Sequence, residues 1–325
     1  MENEIFQQRT DLTQLNNAVT AIREMAGKII VGQEQMIDLM IAGILADGHI
    51  LIEGVPGVAK TLAAKLMAKL IDAEFSRIQF TPDLMPSDVL GTSVFNPKEA
   101  SFQFKSGPVF SNIVLIDEIN RAPAKTQSAL FEVMEERQVT IDGHTYHMQQ
   151  PFMVLATQNP IDQEGTYRLP EAQLDRFLFK IEVGYPSLEQ EVSILQNQHQ
   201  SDNRHLLNEV SKLLSSSDLE NYRNSVRQLL IEPKLLEFVA KIVNETRNNP
   251  SLFLGASPRA SLSIVKAAKA FAAMMGRDFV TPEDIVEVAP HVLRHRIILT
   301  PEKEMEGVTP DELIDRIIKS IEIPR

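Results

Sequence analysis

The stretch GVPGVAKTLA, residues 54–63, decides the fold of this chain. It follows the apolar run HILIE of residues 49–53 and leads into an apolar helical pattern, which is typical of a loop between a strand and a helix. Gly54 and Gly57 allow the backbone to turn its N–H groups inward, and the positive end of the following helix favours an anion. Lys60 lies at that same end, where a cation is unfavourable by about 0.3–1 kcal/mol unless an anion compensates. The stretch therefore predicts a phosphate-binding loop.

The loop departs from the common pattern G-x-x-x-x-G-K-S/T at Ala59, which stands where Gly is usual. The extra methyl group predicts a helical φ at this residue but removes no N–H donor. The alternative is a strand-turn-helix unit in which the glycines and the lysine are incidental. The strand before the loop and the helix after it favour the phosphate loop.

Polar residues follow two further apolar runs. IVLIDE ends in Asp117 and Glu118, and FMVLATQNP carries Gln158 and Asn159 near its end. Parallel sheets bind ligands at the carboxyl ends of their strands. We predict that Asp117 and Thr61 hold Mg²⁺, and that Glu118 polarises an attacking water. An amide after the second run would hydrogen-bond the γ-phosphate or the water. The alternative for the two carboxylates is an exposed acidic turn.

The composition is that of an ordinary globular protein. The 325 residues include 43% hydrophobic and 23% charged side chains, 44 acidic against 32 basic residues, and no cysteine. The acidic balance disfavours non-specific binding to nucleic acid or acidic membranes. The absence of cysteine excludes disulfides, thiolate zinc sites and a catalytic thiol. No secretory signal is visible and no apolar stretch reaches the roughly 20 residues of a membrane span, so we expect no transmembrane segment and a cytoplasmic location.

The pattern changes near Pro186. Before it, short β-rich runs alternate with helical patterns, which predicts an α/β core with a parallel sheet between helices. After it the strands stop, Ser187 and Gln190 form a capping-box pattern, and Thr-Pro pairs mark three helix starts. We therefore expect an α/β domain over residues 1–186, with an N-terminal helix, and an all-helical domain over residues 187–325. The main helical patterns cover residues 122–136, 233–248, 258–275, 282–296 and 310–321.

The motifs GVPGVAKT, IVLIDEINRAP, VLATQNP, EAQLDRF and GASPRA, in this order, resemble those of the MoxR family of AAA+ ATPases, in the helix-2-insert group. The resemblance runs from about residue 28 to the C-terminus and implies an AAA+ P-loop core with a helical lid. GVPGVAKT is itself a common form of the loop in that family. The resemblance implies a nucleotide-binding set formed by Val31, Gly32, Gly54, Val55, Pro56, Gly57, Val58, Ala59, Lys60, Thr61 and Leu62, of which the first two would pack near the adenine.

The resemblance also assigns catalytic roles. It implies the Walker A pair Lys60 and Thr61, the Walker B pair Asp117 and Glu118, sensor 1 at Asn159, an arginine finger at Arg176 and sensor 2 at Arg259. Arg168 stands where the family usually has Pro. This second arginine near the expected subunit interface is the alternative finger.

Two of these arginines can also be interpreted from the residues alone. Arg259 follows Ser257 and Pro258 in the first turn of a helix, where a cation is unfavourable, and this predicts an anionic neighbour. The alternative is an exposed arginine that bridges to a nearby acid. Arg176 follows Asp175 at a helix-to-strand corner, where a structural salt bridge to its own neighbours is the alternative. A finger is recognisable only in an assembled interface.

Two stretches predict β-hairpins. TSVFNPKEASFQFK alternates apolar and polar residues around the turn NPKEA, and QVTIDGHTYHM does so around Asp142 and Gly143. In proteins of the resembling group, such hairpins lie on the face that meets the substrate or the central pore. The alternative is that they cap the sheet.

The histidines do not predict a metal site. His144 and His147 are three residues apart on a strand, so they point to opposite faces and cannot chelate a metal from one side. His291 and His295 share a helix face, beside Arg294 and with no carboxylate nearby on that face. We expect them to be solvated or packed within the lid.

The resemblance implies an ATP- and Mg²⁺-dependent ATPase that assembles as a homo-hexameric ring with sites at subunit interfaces. It implies chaperone-like remodelling or maturation of a partner protein, in some members one linked to a von Willebrand A (VWA) domain or to metal-cofactor insertion. One alternative is a metal-chelatase-like motor subunit. Another is a DNA-acting motor or initiator, which the acidic balance and the lack of a DNA-reading module disfavour, so we expect no nucleic acid. No N-K-x-D motif for guanine is present.

Overall fold

The computed structural model describes residues 10–55, 57–159, 167–200, 207 and 210–324. Its central sheet consists of β1 (His49–Gly54), β2 (Phe75–Gln79), β5 (Ile113–Asp117), β8 (Met153–Gln158) and β9 (Phe177–Val183). The five strands are arranged in the order β2-β5-β8-β1-β9, and every neighbouring pair is parallel. The predicted parallel sheet is confirmed.

Two helices precede β1, α1 (Thr13–Ile29) and α2 (Glu34–Leu45). The helices between the strands are α3 (Lys60–Leu70), α4 (Pro86–Leu90), α5 (Ala124–Glu136) and α6 (Glu171–Leu174), and α7 (Leu188–Gln200) follows β9. Because parallel strands need crossover connections, the alternation of strand and helix in the sequence follows from the sheet. This is the α/β architecture, with a parallel sheet between helices, that the motifs predicted.

The parallel register gives the sheet two distinct edges. Gly54, Asp117 and Gln158 end their strands at one edge, which we call the carboxyl edge. His49 and Phe177 pair at the opposite edge, where their strands begin, and we call this the amino edge. At about 3.3 Å per residue, β1 separates the two edges by roughly 17 Å. Groups at the carboxyl edge are therefore neighbours although they are far apart in the sequence.

The core lies on both faces of the sheet because successive strand side chains alternate between faces. Ile50 and Ile52 pack on one face, in a cluster shared with α1, α2, α3 and the C-terminal helices. Leu51, Val114 and Ile116 pack on the other, in a cluster shared with α5. Strands buried on both faces explain the continuous apolar runs of the sequence.

Both predicted hairpins are present, β3 (Gly91–Asn96) with β4 (Ser101–Ser106) and β6 (Gln138–Ile141) with β7 (His144–His147). Asp142 and Gly143 have φ of 51° and 79°, which a two-residue hairpin turn requires. The Ser93 hydroxyl donates to Asp142 Oδ2 at 2.5 Å, and the rings of Phe104 and Tyr146 stack with centroids 4.2 Å apart. The two hairpins therefore pack on each other.

The C-terminal region is predominantly helical, as expected. Its helices are α8 (Ser216–Gln228), α9 (Pro233–Asn248), α10 (Pro258–Met274), α11 (Pro282–Leu293), α12 (Pro301–Met305) and α13 (Pro310–Ser320). The Ser187 N–H donates to Gln190 Oε1 at 2.9 Å, so this part of the capping box is confirmed. One antiparallel pair of strands was not expected, β10 (Leu252–Leu254) with β11 (Ile298–Leu299). Strands this short are too brief to show an alternation of apolar and polar residues in the sequence. The domain boundary at Pro186 stays a prediction.

The segment after α11 differs from its prediction. The helix ends at Leu293 rather than Arg296, and His291 and His295 are both buried, so their predicted solvation is wrong. Their side chains contact the α/β domain, at Gln35 and Phe177, rather than only the lid. Burial lowers the pKa of His291 to about 4. His295 Nε2 lies 3.0 Å from the carbonyl oxygen of Phe177. The segment is buried because it packs against the start of β9, a contact that helical spacing does not predict.

Carboxylates from distant elements neutralise the two arginines of this segment. Arg294 Nη2 lies 2.6 Å from Asp311 Oδ2, and Arg296 Nε lies 2.7 Å from Asp175 Oδ1. Within the described ranges, no group of three or more His, Cys, Asp or Glu side chains is placed to hold a metal ion. No helix in that part of the chain is long and apolar enough to cross a membrane.

Candidate nucleotide site

The phosphate loop lies at the carboxyl edge between β1 and α3. Gly57 has a φ of 88°, and Ala59 has a φ of 60° and a ψ of 16°. The expectation of an ordinary helical φ at Ala59 is therefore wrong, since the chain reverses there in a left-handed conformation before α3 begins. This conformation costs an L-residue about 1–2 kcal/mol. Pro56 lies outside the described residues.

Lys60 is the first residue of α3, and its side chain folds back over the loop. Its Nζ donates to the Gly54 carbonyl oxygen at 2.5 Å. Burial lowers the pKa of Lys60, and the negative charges of Asp117, Glu118 and Glu53 act in the opposite direction. The structure therefore brings the loop lysine and the two predicted carboxylates into one electrostatic neighbourhood. Such a lysine is placed to contact phosphate oxygens.

Asp117 is buried at the end of β5. Its Oδ2 accepts from Arg77 Nε at 2.5 Å, and its Oδ1 accepts from the Thr157 hydroxyl at 3.2 Å. Arg77 lies on β2, and the sequence analysis did not identify it. The order of β2 and β5 in the sheet, which the sequence does not reveal, makes them neighbours. Thr61 follows Lys60 in the first turn of α3 and is partly buried.

Glu118 has a left-handed backbone, with φ 56° and ψ 55°. Its Oε2 accepts from Gln79 Nε2 at 2.9 Å and lies 3.2 Å from Arg121 Nη1. Its N–H donates to the Thr157 hydroxyl at 3.1 Å. Backbone strain of this kind costs about 1–3 kcal/mol and is common at functional sites. The sequence analysis missed Gln79 for the same reason as Arg77.

An apolar cavity of about 280 Å³ adjoins the phosphate loop. Its lining residues are Ile29, Ile30, Val31, Gln33, Gly57, Val58, Ala59, Leu62, Pro186, Ile194 and Asn197. Gly32 has a φ of 73°, and a Cβ at this position would lie 2.3 Å from Gln190 Cδ. The structure therefore brings Val31 and the loop together, as the resemblance implied. A concave, mostly apolar cavity is suited to a flat aromatic base.

Asn159 follows β8 directly and is partly buried at the carboxyl edge. Arg168 lies on the same side of the sheet. With Glu53, Gln158 and Lys180 it lines a cavity of about 220 Å³ between β1, β8, β9 and the segment after α11. Arg168 is therefore close to residues that end β1 and β8 of its own chain.

Arg176 and Arg259 converge on a single carboxylate that the sequence analysis missed. Arg176 Nη1 lies 3.1 Å from Glu135 Oε2, and Arg259 Nη2 lies 3.1 Å from Glu135 Oε1. Arg176 also donates to the carbonyl oxygen of Phe131 at 2.9 Å. In this structure both arginines therefore take the structural alternative, a salt bridge within the chain. Glu135 lies near the end of α5, and no local pattern connects it to either arginine.

These two arginines lie at the amino edge. Arg176 directly precedes β9, and His49, at the start of β1, has its Nε2 3.1 Å from the carbonyl oxygen of Met134, next to Glu135. The length of β1, roughly 17 Å, thus separates Arg176 from the phosphate loop of its own chain. Arg168 lines a cavity with Glu53 and Gln158, whereas Arg176 contacts Glu135 at the amino edge.

Comparisons with known proteins agree with this geometry. The model of the ATPase family associated with various cellular activities (AAA) matches residues 49–179, and that of the AAA lid domain matches residues 244–317. Chaperone MoxR1 of Mycobacterium tuberculosis is 46% identical over 92% of this chain and 80% of its own. The chain belongs to the MoxR family of AAA+ ATPases.

Two further comparisons place this MoxR-family chain among close relatives. The uncharacterized protein YeaC of Bacillus subtilis is 46% identical, covering 93% of each chain. A crystal structure of a protein from Cytophaga hutchinsonii has a TM-score of 0.88 and 44% identity, covering 96% of this chain and 97% of that one. The α/β core and the lid of the MoxR-family fold are thus shared over nearly the whole length.

Proposed function

We propose that this MoxR-family ATPase binds ATP with Mg²⁺ and hydrolyses it in a ring in which each site is completed by the neighbouring subunit. One observation carries the proposal. Lys60 and the carboxylates lie at the carboxyl edge, whereas Arg176 and Arg259 lie together at the amino edge. Since one chain cannot bring both groups to the same phosphate, a head-to-tail ring would join one subunit's carboxyl edge to its neighbour's amino edge.

The residues at the carboxyl edge fit a magnesium nucleotide. The Thr61 hydroxyl and the Asp117 carboxylate are oxygen donors, which Mg²⁺ prefers, and these two residues would hold it. When bound there, Mg²⁺ would neutralise negative charge on the phosphates. Arg77 occupies Oδ2 of Asp117 in this structure and would have to yield or share that oxygen. Lys60 would leave the Gly54 carbonyl for the phosphates, and the adenine would enter the apolar cavity.

Glu118 would act as the general base that polarises the attacking water, with Asn159 positioning the water or the γ-phosphate. In this structure Gln79 and Arg121 both contact Glu118 Oε2. These two contacts occupy Oε2, so an attacking water would have to displace one of them to reach that oxygen. Release of at least one of these contacts would therefore accompany activation. Arg176, and with it Arg259, would stabilise transition-state charge on the neighbour's nucleotide once freed from Glu135.

The cellular role that we propose is remodelling or maturation of a partner protein by a cytoplasmic hexamer. The name of the M. tuberculosis relative, Chaperone MoxR1, supports a protein client. We further propose that the partner protein contains or is linked to a VWA domain, and that the remodelling serves metal-cofactor insertion. The net charge of −12 argues against a nucleic-acid substrate.

Mixing two inactive variants tests the shared site. Glu118→Gln and Arg176→Ala should each be nearly inactive and should each bind ATP. After subunit exchange, about a quarter of the interfaces in a head-to-tail ring would pair an intact Glu118 with an intact Arg176. We expect ATPase activity to return in the mixture, measured as steady-state phosphate release at equal total protein.

The controls separate the two candidate fingers. Glu118→Gln mixed with Arg168→Ala repeats the measurement. The true finger is the arginine whose alanine variant is inactive by itself and recovers activity when mixed with Glu118→Gln. Lys60→Ala mixed with Glu118→Gln should not recover, because both groups belong to the same edge of one chain. If no mixture gains activity although mixed rings form, the proposal that Arg176 acts on a neighbour is wrong.

A further inference from the structure

Three arginines from two separate parts of the chain surround a single carboxylate at the amino edge. Asp47 lies in the turn between α2 and β1, with a left-handed φ of 56°. Its Oδ1 lies 2.9 Å from Arg223 Nη1, and its Oδ2 lies 3.0 Å from Arg137 Nη1 and 3.8 Å from Arg227 Nη2. One carboxylate thus faces three guanidinium groups.

These residues line a cavity of about 420 Å³ between the amino edge and α8. The other lining residues are Gln150, Pro151, Ser216, Ser217, Leu219 and Glu220. Glu220 is exposed and is the second acidic group of the lining. Three cations therefore outnumber two carboxylates, and the two serine hydroxyls add neutral hydrogen-bond donors. The balance favours an anion although the whole chain is acidic.

Arg223 has hydrogen-bonding capacity that the described residues leave unused. The residue is only 6% exposed, its Nε donates to the Ile44 carbonyl oxygen at 2.8 Å, and its Nη1 contacts Asp47 and Gln150 Oε1. Its Nη2 is buried and has no partner among the described residues. An unmet charged donor in the interior is costly, and an anion bound nearby would offset part of that cost.

The titration of neighbouring groups indicates the same excess of positive charge. Burial opposes ionisation of Asp47, but the charges of Arg223 and Arg137 outweigh it and lower its pKa. Burial, reinforced by the charge of Arg137, lowers the pKa of His49 to about 4. A negative ligand in the cavity would relieve this repulsion among cations.

We propose that this cavity is a second anion site, which binds a phosphate-type oxyanion. The guanidinium fork matches the spacing of phosphate oxygens, and two or three forks from different elements recognise such a group more specifically than ammonium groups do. The ligand is either free phosphate or pyrophosphate, or the phosphate group of a small phosphorylated molecule. The cavity lies at the amino edge, so its occupant does not compete for the phosphate loop.

Calorimetric titration of the full chain with phosphates tests this site. The background carries Lys60→Ala, which disables the phosphate loop so that it does not contribute binding. Pyrophosphate, inorganic phosphate and glucose 6-phosphate are the three probes, each at matched ionic strength because binding to exposed arginines is screened by salt. We expect saturable binding of at least one probe, and the probe that binds best shows whether the site takes a free ion or a phosphate ester.

Variants of the cluster give the specific prediction. Arg227→Ala, in an exposed side chain that should not affect folding, and Arg223→Lys, which keeps the charge but loses the fork, should each weaken binding about tenfold. Arg316→Ala removes an exposed arginine on α13 and should leave binding unchanged.

Three outcomes would overturn the proposal: no probe binds in the Lys60→Ala background, Arg227→Ala binds as tightly as its parent, or Arg316→Ala weakens binding as much as Arg227→Ala. If Arg223→Lys does not fold, Arg227→Ala alone decides between binding and a purely structural cluster.

Discussion

The carboxyl and amino edges of the sheet differ in how their charges are arranged. At the carboxyl edge, contiguous motifs supply Lys60, Asp117 and Glu118, and the last of these has a strained backbone. At the amino edge, arginines from distant elements share single carboxylates, Arg176 and Arg259 on Glu135 and three others on Asp47. The side chains at the carboxyl edge surround one candidate ligand site, whereas the amino edge carries arginines that folding brings together from distant segments.

This difference is the basis of the proposed shared site, in which the two arginines of the amino edge would act on a nucleotide bound to the neighbouring subunit. In the proposed ring, the carboxyl edge lacks Arg176 and Arg259, which would stabilise transition-state charge, and the amino edge lacks a phosphate loop. Assembly would join them, and Glu135 keeps the two arginines neutralised in the single chain. The predictions below test this division, from the largest expected effect to the smallest.

The largest effect tests whether the amino edge contributes to catalysis at all. Arg176→Ala should lower kcat by about 10³–10⁵, or about 4–7 kcal/mol, because an arginine finger stabilises charge mainly in the transition state. The dissociation constant for ATP should stay within about threefold, because binding depends on the carboxyl edge. Steady-state phosphate release and nucleotide titration measure the two quantities. Arg316→Ala is the matched control, and a loss below tenfold in Arg176→Ala would remove the amino edge from the mechanism.

The second effect separates binding from chemistry within the carboxyl edge. Glu118→Gln should slow hydrolysis by about 10²–10⁴ while ATP binding is retained, because the amide keeps the shape but cannot accept a proton. Lys60→Ala should instead abolish tight ATP binding, since the loop loses its charge on the phosphates. Single-turnover hydrolysis and equilibrium binding of both variants provide the comparison. Hydrolysis at the parent rate in Glu118→Gln would show that Glu118 is not the base.

The third effect tests, through pH, the burial of His49 among the cations of the amino edge. His49 is buried with a pKa lowered to about 4, whereas an unfolded histidine titrates near 6.5. The unfolded chain therefore binds a proton that the folded chain does not, and stability falls as pH falls from 6.5 towards 4. Between pH 7 and 5 this group should account for a loss of about 2 kcal/mol.

Urea unfolding of the parent and of His49→Gln at both pH values measures that loss. The glutamine variant should be less stable at pH 7, because two hydrogen bonds of the imidazole change, but its stability should fall less on acidification. An identical fall in both proteins would show that His49 does not carry the pH dependence. His291 also has a pKa lowered to about 4. It contributes equally to the pH dependence of the parent and of His49→Gln, so its effect cancels when the two stability losses are subtracted.

The smallest effect concerns backbone strain at the carboxyl edge. Ala59→Gly should stabilise the nucleotide-free protein by about 0.5–1 kcal/mol, because glycine relieves the left-handed strain and loses part of that gain in unfolded-chain entropy. Ala64→Gly, within α3, is the matched control and should destabilise by about 1 kcal/mol or more. Opposite signs in urea unfolding are expected. A destabilised Ala59→Gly would mean that Ala59 is not strained.

The sequence predicted the carboxyl edge well because its residues occur in contiguous motifs with fixed strand-loop-helix contexts. The loop, the ends of β5 and β8, and both hairpins with the turn at Asp142 and Gly143 could all be predicted from local patterns. Two local errors have tertiary causes. Ala59 is left-handed because the loop must reverse, and α11 ends early because its following segment packs on β9.

The partners of the site residues could not be predicted. Arg77 and Gln79 contact the carboxylates only because β2 lies beside β5, and the sequence does not specify the order of the strands. The salt bridges of Glu135 with Arg176 and Arg259 could not be predicted either, because they too join distant segments. In each case a side chain contacts a partner from a distant segment, and no periodic pattern in the sequence indicates that contact.

The sequence by itself determined the phosphate loop, the parallel α/β core and the helix starts, because these depend on local φ preferences, capping and apolar periods. Only the tertiary structure decided that Arg176 and Arg259 lie a strand's length from the loop, and that three arginines share Asp47. The physical reason is the range over which each property is determined. Backbone conformation and hydrophobic periodicity depend on residues close in the sequence, whereas the pairing of buried charges depends on which segments the folded core brings within a few ångströms of each other.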